Sequence, residues 1–519
     1  MRLVLGKEIA EIDRMAMQDC GISGLWLMEN AGRAVAKQAV CLFQMLTLDI
    51  NAPVVLLAGS GNNGGDALVA ARLLAEEGYQ TEVFLLASPE NYRGNAKTNW
   101  ERLGRTTVLT RGMTEPGAEE ALREALASAS LVIDGLFGTG FHGAATGTAA
   151  LMITAANECK RPILAIDLPS GVNANDGSVE GPAVRATRTV TFGWEKFGIK
   201  IDPAKQYAGR VQVADIGLPT ELLAKIESDL HSVDKSLVAS WLPRRQSNSH
   251  KGTYGHVAVV GGAYGMLGAP VLAAGGALKS GAGLVTVASV AEIMVPLACR
   301  YPEVMSKLLP ASQGVLSEEA EADLLPWVTD KTLAMGMGMG RRRETSELIY
   351  TLCCSGARGL VLDADGLYAL AARPLDFRRA AFPVVLTPHP KEMARLLGIS
   401  TAEVQKNRLR AALRAAETFG AVIVLKGANT LTAVGKRVYL NETGNAGMAT
   451  GGSGDVLSGV IAALLAQGLS AEQAAVLGVY LHGRAGDLAK EELGEYGMSA
   501  GDLVRFLPFA FREAAQQSS

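Results

Sequence analysis

The feature that most constrains this chain is a repeated unit. A short, uniformly apolar, Val/Ile/Leu-rich run is followed by a turn and then by a helix-like stretch. Apolar runs without alternation predict strands buried on both faces, and the intervening helices predict parallel pairing between two helical layers. In the first half the predicted strands are 54–58, 81–87, 131–134, 163–168 and 188–192. A helix over 67–77 sits between the first two and closes on Gly78. The pattern lapses over 217–255, through Gly217-Leu218-Pro219-Thr220 and the polar segment 243–255. It resumes with runs at 256–260, 284–288, 332–335, 359–363, 384–387 and 421–426, and ends in a helix-rich tail. The expectation is an α/β protein of two domains, 1–222 and 223–519, with the boundary near 222.

Composition narrows the class. Among 519 residues, 48% are hydrophobic and 19% charged, which excludes a disordered chain. The 59 glycines follow no three-residue period, so a collagen-like chain is excluded too. With a net charge of −3 and no basic run longer than 341–343, a nucleic-acid partner is not expected. The six cysteines form no C-x-x-C pair, and adjacent Cys353 and Cys354 suit no ordinary disulfide. They read as reduced thiols. The N-terminal stretch lacks a signal-peptide core. No apolar run approaches the ~18 residues of a membrane span. We expect a cytoplasmic protein without a membrane partner.

The glycine turns carry the chemistry. Gly59, Gly61 and Gly64 form G-x-G-x-x-G between a strand and a helix. That context favours a phosphate-type turn at a helix N-terminus. The acidic residue expected at the end of the next strand of a dinucleotide fold is missing, because that strand reads TEVFLLAS. Asn62, Asn63 and Asp66 lie in the turn instead, suited either to a ligand or to helix capping. Two more strand ends match it: Asp134 before Gly135–Phe141, and Asp167 before Leu168-Pro169-Ser170-Gly171. Parallel strands gather their carboxyl ends along one edge, so Asn63, Asp134 and Ser170 can meet there as an all-oxygen set for a hard cation.

In the second half the strongest element is Asn445–Asp455, whose Gly451-Gly452-Ser453-Gly454-Asp455 opens an apolar helix. Clustered glycines at a helix N-terminus make an anion hole for a phosphate under attack. Asp455 stands where a base for a substrate hydroxyl is needed. Lys426-Gly427-Ala428-Asn429-Thr430 follows a strand and offers donors to a nucleotide. Gly336, Gly338 and Gly340 form a loop after another strand, and His389 lies in a rigid Thr-Pro-His-Pro turn. No G-x-x-x-x-G-K-[ST] motif is present.

Together these motifs resemble the bifunctional NAD(P)H-hydrate repair enzymes. The first half is similar to the epimerase domain through GSGNNGGD (59–66), DGLFGTG (134–140) and DLPSGVNANDG (167–177). The second is similar to the dehydratase domain through SGAGLV (280–285), TPHPKEMARLLG (387–398), LKGANT (425–430) and MATGGSGDVLSG (448–459). The resemblance implies a Rossmann-like three-layer sandwich followed by a ribokinase-like α/β domain. It implies that the first half interconverts the R and S forms of hydrated NADH or NADPH. It implies that the second dehydrates the S form at the expense of ADP or ATP. By the same resemblance Asn62, Asn63, Gly64, Gly65, Asp66, Gly138, Thr139, Gly140, Phe141, His142, Gly143, Ala144 and Asp167 contact the hydrate, and Asp167 is the candidate acid/base. Asn63, Asp134 and Ser170 hold potassium. In the second half Gly338, His389 and Asp455 contact the hydrate and Asp455 is catalytic. Lys426, Gly427, Ala428, Asn429, Thr430 and Gly454 hold the nucleotide. A magnesium ion is implied without named ligands, as is a homo-oligomer. The chain departs from the common pattern at Ala67, Met337 and Ser453; Met337 is the one of the three able to shift the hydrate pocket, but none removes a proposed ligand, so both activities are expected to survive. Two other readings stay open: a small-molecule kinase for the second half, and a non-catalytic binding module for the first.

Overall fold

The computed structural model describes residues 1–516. It divides into two compact units, residues 2–228 and residues from 229 onward together with Met1. The division falls after Ser228, and Leu218, Leu222 and Ile226 are buried in the first unit's core.

In the first unit seven parallel strands form one sheet. They are Val54–Ala58, Thr81–Leu85, Leu109–Gly112, Leu131–Gly135, Ile163–Ile166, Arg188–Phe192 and Arg210–Ala214. Counted along the chain, the sheet order is 3-2-1-4-5-6-7. Val54, Leu56 and Ala58 join one core cluster, while Val55 and Leu57 join another. The sheet is therefore buried on both faces, which is what an uninterrupted apolar run requires. The order reverses direction between the first and fourth strands, opening a crevice beyond their carboxyl ends.

The second unit has its own sheet. Met305–Leu308, Leu284–Ser289, His256–Val260, Thr332–Met335, Gly359–Leu362, Val384–Leu386 and Val422–Leu425 lie side by side in parallel. An antiparallel hairpin, Leu431–Val434 and Arg437–Leu440, extends the sheet, and Asp229–Ser232 pairs beyond it. Helix Ser453–Ala466 is apolar on all sides and is buried against Val257, Ala334, Val361 and Val424. Met337 is fully buried in that same cluster. All six cysteines are free. No helix among the described residues is long and apolar enough to cross a membrane.

Candidate active sites

The first site lies at the crevice of the first unit. Residues 59–63 leave the first strand and residues 136–141 leave the fourth. Both loops line a cavity of about 930 Å³. Their backbones are in contact: the Gly59 N–H donates to the Gly135 carbonyl at 3.0 Å. A Cβ on Gly64 would lie 1.7 Å from the Gly59 carbonyl oxygen, so glycine there is a packing requirement. The Asn63 amide donates to the Phe137 carbonyl at 2.8 Å, and the Phe137 N–H donates to Ser170 Oγ at 2.9 Å. Ser170 donates its hydroxyl to one Asp134 oxygen at 2.6 Å and its N–H to the other at 2.8 Å. The predicted trio of Asn63, Asp134 and Ser170 is thus assembled from three separate strand ends. Asp134 is 0% exposed, and burial pushes its carboxyl up to about 6 despite the Ser170 hydrogen bonds.

Asn62, Asn63, Asp66, Gly138, Thr139, Gly140, Phe141, His142 and Asp167 all line the cavity. Gly64, Gly65, Gly143 and Ala144 do not. A Cβ on Gly65 would strike Met28 at 2.6 Å, and Ala144 packs beside Gly181. Two charged groups were not singled out from the sequence. Lys196 is 0% exposed and donates to the Asp167 carboxylate, to Thr191 Oγ1 at 3.0 Å and to the Phe192 carbonyl at 2.9 Å. Asp167 also accepts from the Thr191 hydroxyl and the Phe192 N–H, each at 3.2 Å. Asp13 lines the cavity from helix Gly6–Gln18, and burial, aided by the Asp167 charge, raises its carboxyl to about 6 against the pull of Lys196. Asp66 has been named already, but its state has not. Burial, then the charges of Asp167 and Asp13, hold its carboxyl well above the usual range. A Lys inside a run such as TFGWEKFGIK gives no local sign that it turns inward.

The second site forms where three elements of the second unit meet. The first turn of helix Ser453–Ala466 leaves the N–H groups of Gly454 and Asp455 without intrahelical acceptors. A Cβ added to Gly451 would meet nothing within 4 Å, whereas one on Gly454 would lie 3.1 Å from Lys426 Nζ and 3.6 Å from Asp363 Oδ2, so Gly451 faces open space and Gly454 faces the Lys426–Asp363 pair. Strand Gly359–Leu362 delivers Asp363, which the sequence reading missed. Only 2% exposed, it accepts from Lys426 Nζ at 2.7 Å and from the Ser458 hydroxyl at 2.8 Å. Burial first, then the Asp363 charge, raise the Asp455 carboxyl to about 7, while Lys426 opposes them. A carboxyl near 7 is matched to proton transfer at neutral pH. A signal for Asp363 was available in sequence, since it ends an apolar run as Asp134 and Asp167 do.

The other predicted residues surround this centre unevenly. Lys426 points inward to Asp363, while Gly427 and Ala428 are exposed. Thr430 donates to the Gly427 carbonyl at 2.9 Å, and the buried Asn429 Oδ1 has no partner among the described residues. Behind this loop Arg408 donates to the carbonyls of Leu425 and Lys426 at 3.2 and 3.3 Å. Burial lowers its guanidinium to about 10. His389 is 47% exposed and caps helix Pro390–Leu397, accepting the Lys391 N–H at 3.1 Å with Glu392 3.3 Å away. Gly338 lies in the loop after strand Thr332–Met335. The next glycine, Gly340, donates its N–H to Asp365 at 3.0 Å, which ties that loop to the Asp363 segment. His482 is buried beneath the glycine turn and held neutral, its ring lowered to about 4 by burial.

Comparison with known proteins decides the family. A family model described as NAD(P)H-hydrate dehydratase matches residues 257–508, and one described as YjeF-related protein N-terminus matches 24–198. The bifunctional NAD(P)H-hydrate repair enzyme Nnr of Moorella thermoacetica is 43% identical over 523 residues, covering 100% of this chain and 98% of its own. The chain belongs to the bifunctional NAD(P)H-hydrate repair enzyme family. The repair enzyme Nnr of Thermofilum pendens is 40% identical over 517 residues, 99% of this chain and 96% of its own. A solved structure of the ADP/ATP-dependent NAD(P)H-hydrate dehydratase from Bacillus subtilis, co-crystallized with ATP/Mg2+, is 30% identical, covers 55% of this chain and 98% of its own, and has a TM-score of 0.48. Membership of the repair-enzyme family accounts for both halves at once.

Proposed function

We propose that the chain restores hydrated nicotinamide cofactors through two activities. The first unit epimerises the R and S hydrates of NADH and NADPH, with Asp167 as its acid/base. The second dehydrates the S form at the expense of ADP or ATP. One observation carries the second half of this reading: Asp455, its carboxyl raised to about 7, sits in the same helix turn as N–H donors without intrahelical acceptors, beside the Lys426–Asp363 pair.

Hydroxide is a poor leaving group and phosphate a good one, which gives the arrangement its logic. Asp455 takes the proton of the C6 hydroxyl as that oxygen attacks the terminal phosphorus of the nucleotide, whose bridging P–O bond breaks to release AMP from ADP or ADP from ATP. The Gly454 and Asp455 N–H groups hold the transferring phosphoryl oxygens. The ring nitrogen then expels phosphate from C6, a proton leaves C5, and the reduced ring is restored. The loop 427–430 holds the nucleotide, and Gly338 and His389 border the hydrate. Arg408 steadies the nucleotide loop through its carbonyls.

Asn63, Asp134 and Ser170 fit a potassium ion. They offer only oxygen ligands, and the buried Asp134 carboxylate has no cationic side chain among its hydrogen-bond partners. Bound there, potassium supplies the missing positive charge. Among the described residues no three of His, Cys, Asp or Glu gather as a metal cage. Magnesium therefore belongs with the nucleotide phosphates, which usually provide part of its shell. Cytoplasmic action and a homo-oligomer complete the proposal.

The test is optical. Racemic hydrated NADH is incubated with ADP or ATP, and absorbance of the reduced ring should return until both epimers are consumed. A phosphorylated alcohol that accumulates without that recovery would make the second unit a small-molecule kinase instead.

A further inference from the structure

The first cavity holds more titratable groups than binding a neutral ring requires. Asp13, Asp66, Asp167 and Lys196 all line it, from helix Gly6–Gln18, helix Asn62–Glu76, the end of strand Ile163–Ile166 and the segment after strand Arg188–Phe192. Lys7, Arg14 and His142 also line it. A fully buried ammonium persists only with a counter-charge and satisfied donors. Lys196 has both, in Asp167, Thr191 and Phe192. Asp66 accepts no hydrogen bond among the described residues, and the Lys196 charge only partly offsets its burial beside Asp167 and Asp13.

We propose that Asp66 and Asp167 act together as the acid and the base of the epimerase, and that Lys196 is the positioning residue that fixes which is which. The proposal rests on the epimerase reading of this cavity. The carbon to be inverted carries a hydroxyl and a ring nitrogen, so its configuration is lost when the ring opens. Asp167 takes the hydroxyl proton. The C6–O bond becomes a carbonyl while the C6–N1 bond breaks and its electron pair stays on N1. Asp66 gives N1 a proton. Rotation about C5–C6 turns the other carbonyl face toward N1, and the same steps in reverse close the ring. Atoms and electrons balance with no oxidant and no co-reactant. Two carboxyls in unlike surroundings are how one site holds an acid and a base at one pH. Here the Lys196 ammonium donates to the Asp167 carboxylate and holds it in place, while burial beside Asp167 and Asp13 holds the Asp66 carboxyl well above its usual range.

The experiment follows R-hydrate consumption by the full chain with ATP, against its spontaneous epimerisation, across pH. The wild-type profile should be bell-shaped. Lys196→Met should slow R use by about 10²–10⁴-fold and move the acid limb to higher pH, because the site then loses the cation that donates to the Asp167 carboxylate. Lys196→Arg should recover part of both. Asp66→Asn, which keeps the shape of the side chain, should slow R use by at least about 10²-fold and remove the alkaline limb. S-hydrate dehydration by the second unit reports that each variant is folded. A Lys196→Met chain with the wild-type profile, or an Asp66→Asn chain with the wild-type rate, overturns the proposal. If Lys196→Met does not fold, Asp66→Asn decides alone. A wild-type chain that consumes only the S form overturns the epimerase reading itself.

Discussion

Single residues set the chemistry through their surroundings. Asp455 must be ionised to act as a base, and its carboxyl titrates near 7, so the rate of dehydration should fall as pH drops through about 7. Asp363 is the nearest negative charge that raises it. Asp363→Asn should therefore move that acid limb to lower pH, read as kcat/KM for S-hydrate against pH. Asp455→Asn should cut nucleotide-dependent dehydration by about 10²–10⁴-fold without loss of folding, checked by the ring absorbance and by circular dichroism. The identity of Asp455 and Asp167 as candidates was legible, because each ends or opens an element beside glycines. The raised carboxyl of Asp455 was not, since it depends on Asp363 and Lys426, which arrive from distant segments.

Elements place these residues, and their fit is tight. Helix Ser453–Ala466 carries Asp455 and crosses helix Gly268–Lys279 at a small-residue contact, where a Cβ on Gly459 would lie 1.9 Å from the Ala273 carbonyl oxygen. Gly459→Ala should destabilise the second unit by about 1–3 kcal/mol, the usual cost of overpacking, measured by urea unfolding, and should lower S-hydrate turnover as Asp455 shifts. The central strands were readable from sequence because both of their faces are buried. Leu109–Gly112, Arg210–Ala214 and Met305–Leu308 were not, because they lie at sheet edges and are polar or exposed. The hairpin Leu431–Leu440 had a signal that went unread, the two-residue turn Gly435-Lys436.

At the scale of the whole molecule, two units with separate cores carry two separable activities. Asp167→Ala in the full chain should leave S-hydrate dehydration intact and reduce R use to the spontaneous rate. Asp455→Asn should stop both recoveries while R and S forms still interconvert, followed by chromatography of the two hydrates. A loss of both activities from Asp167→Ala would mean that the units do not work independently.

The sequence alone determined the α/β class, the pair of glycine-turn motifs and the family, because apolar periodicity and glycine spacing are local properties written along the chain. It also named Asn63, Asp134 and Ser170, since strand ends of a parallel sheet share one edge. Only the tertiary structure decided that Lys196 faces Asp167, that Lys426 faces Asp363, and that Met337 lies in a core. Electrostatic partners are chosen by the sheet order, 3-2-1-4-5-6-7 in the first unit, and sheet order is a long-range property that no local pattern records.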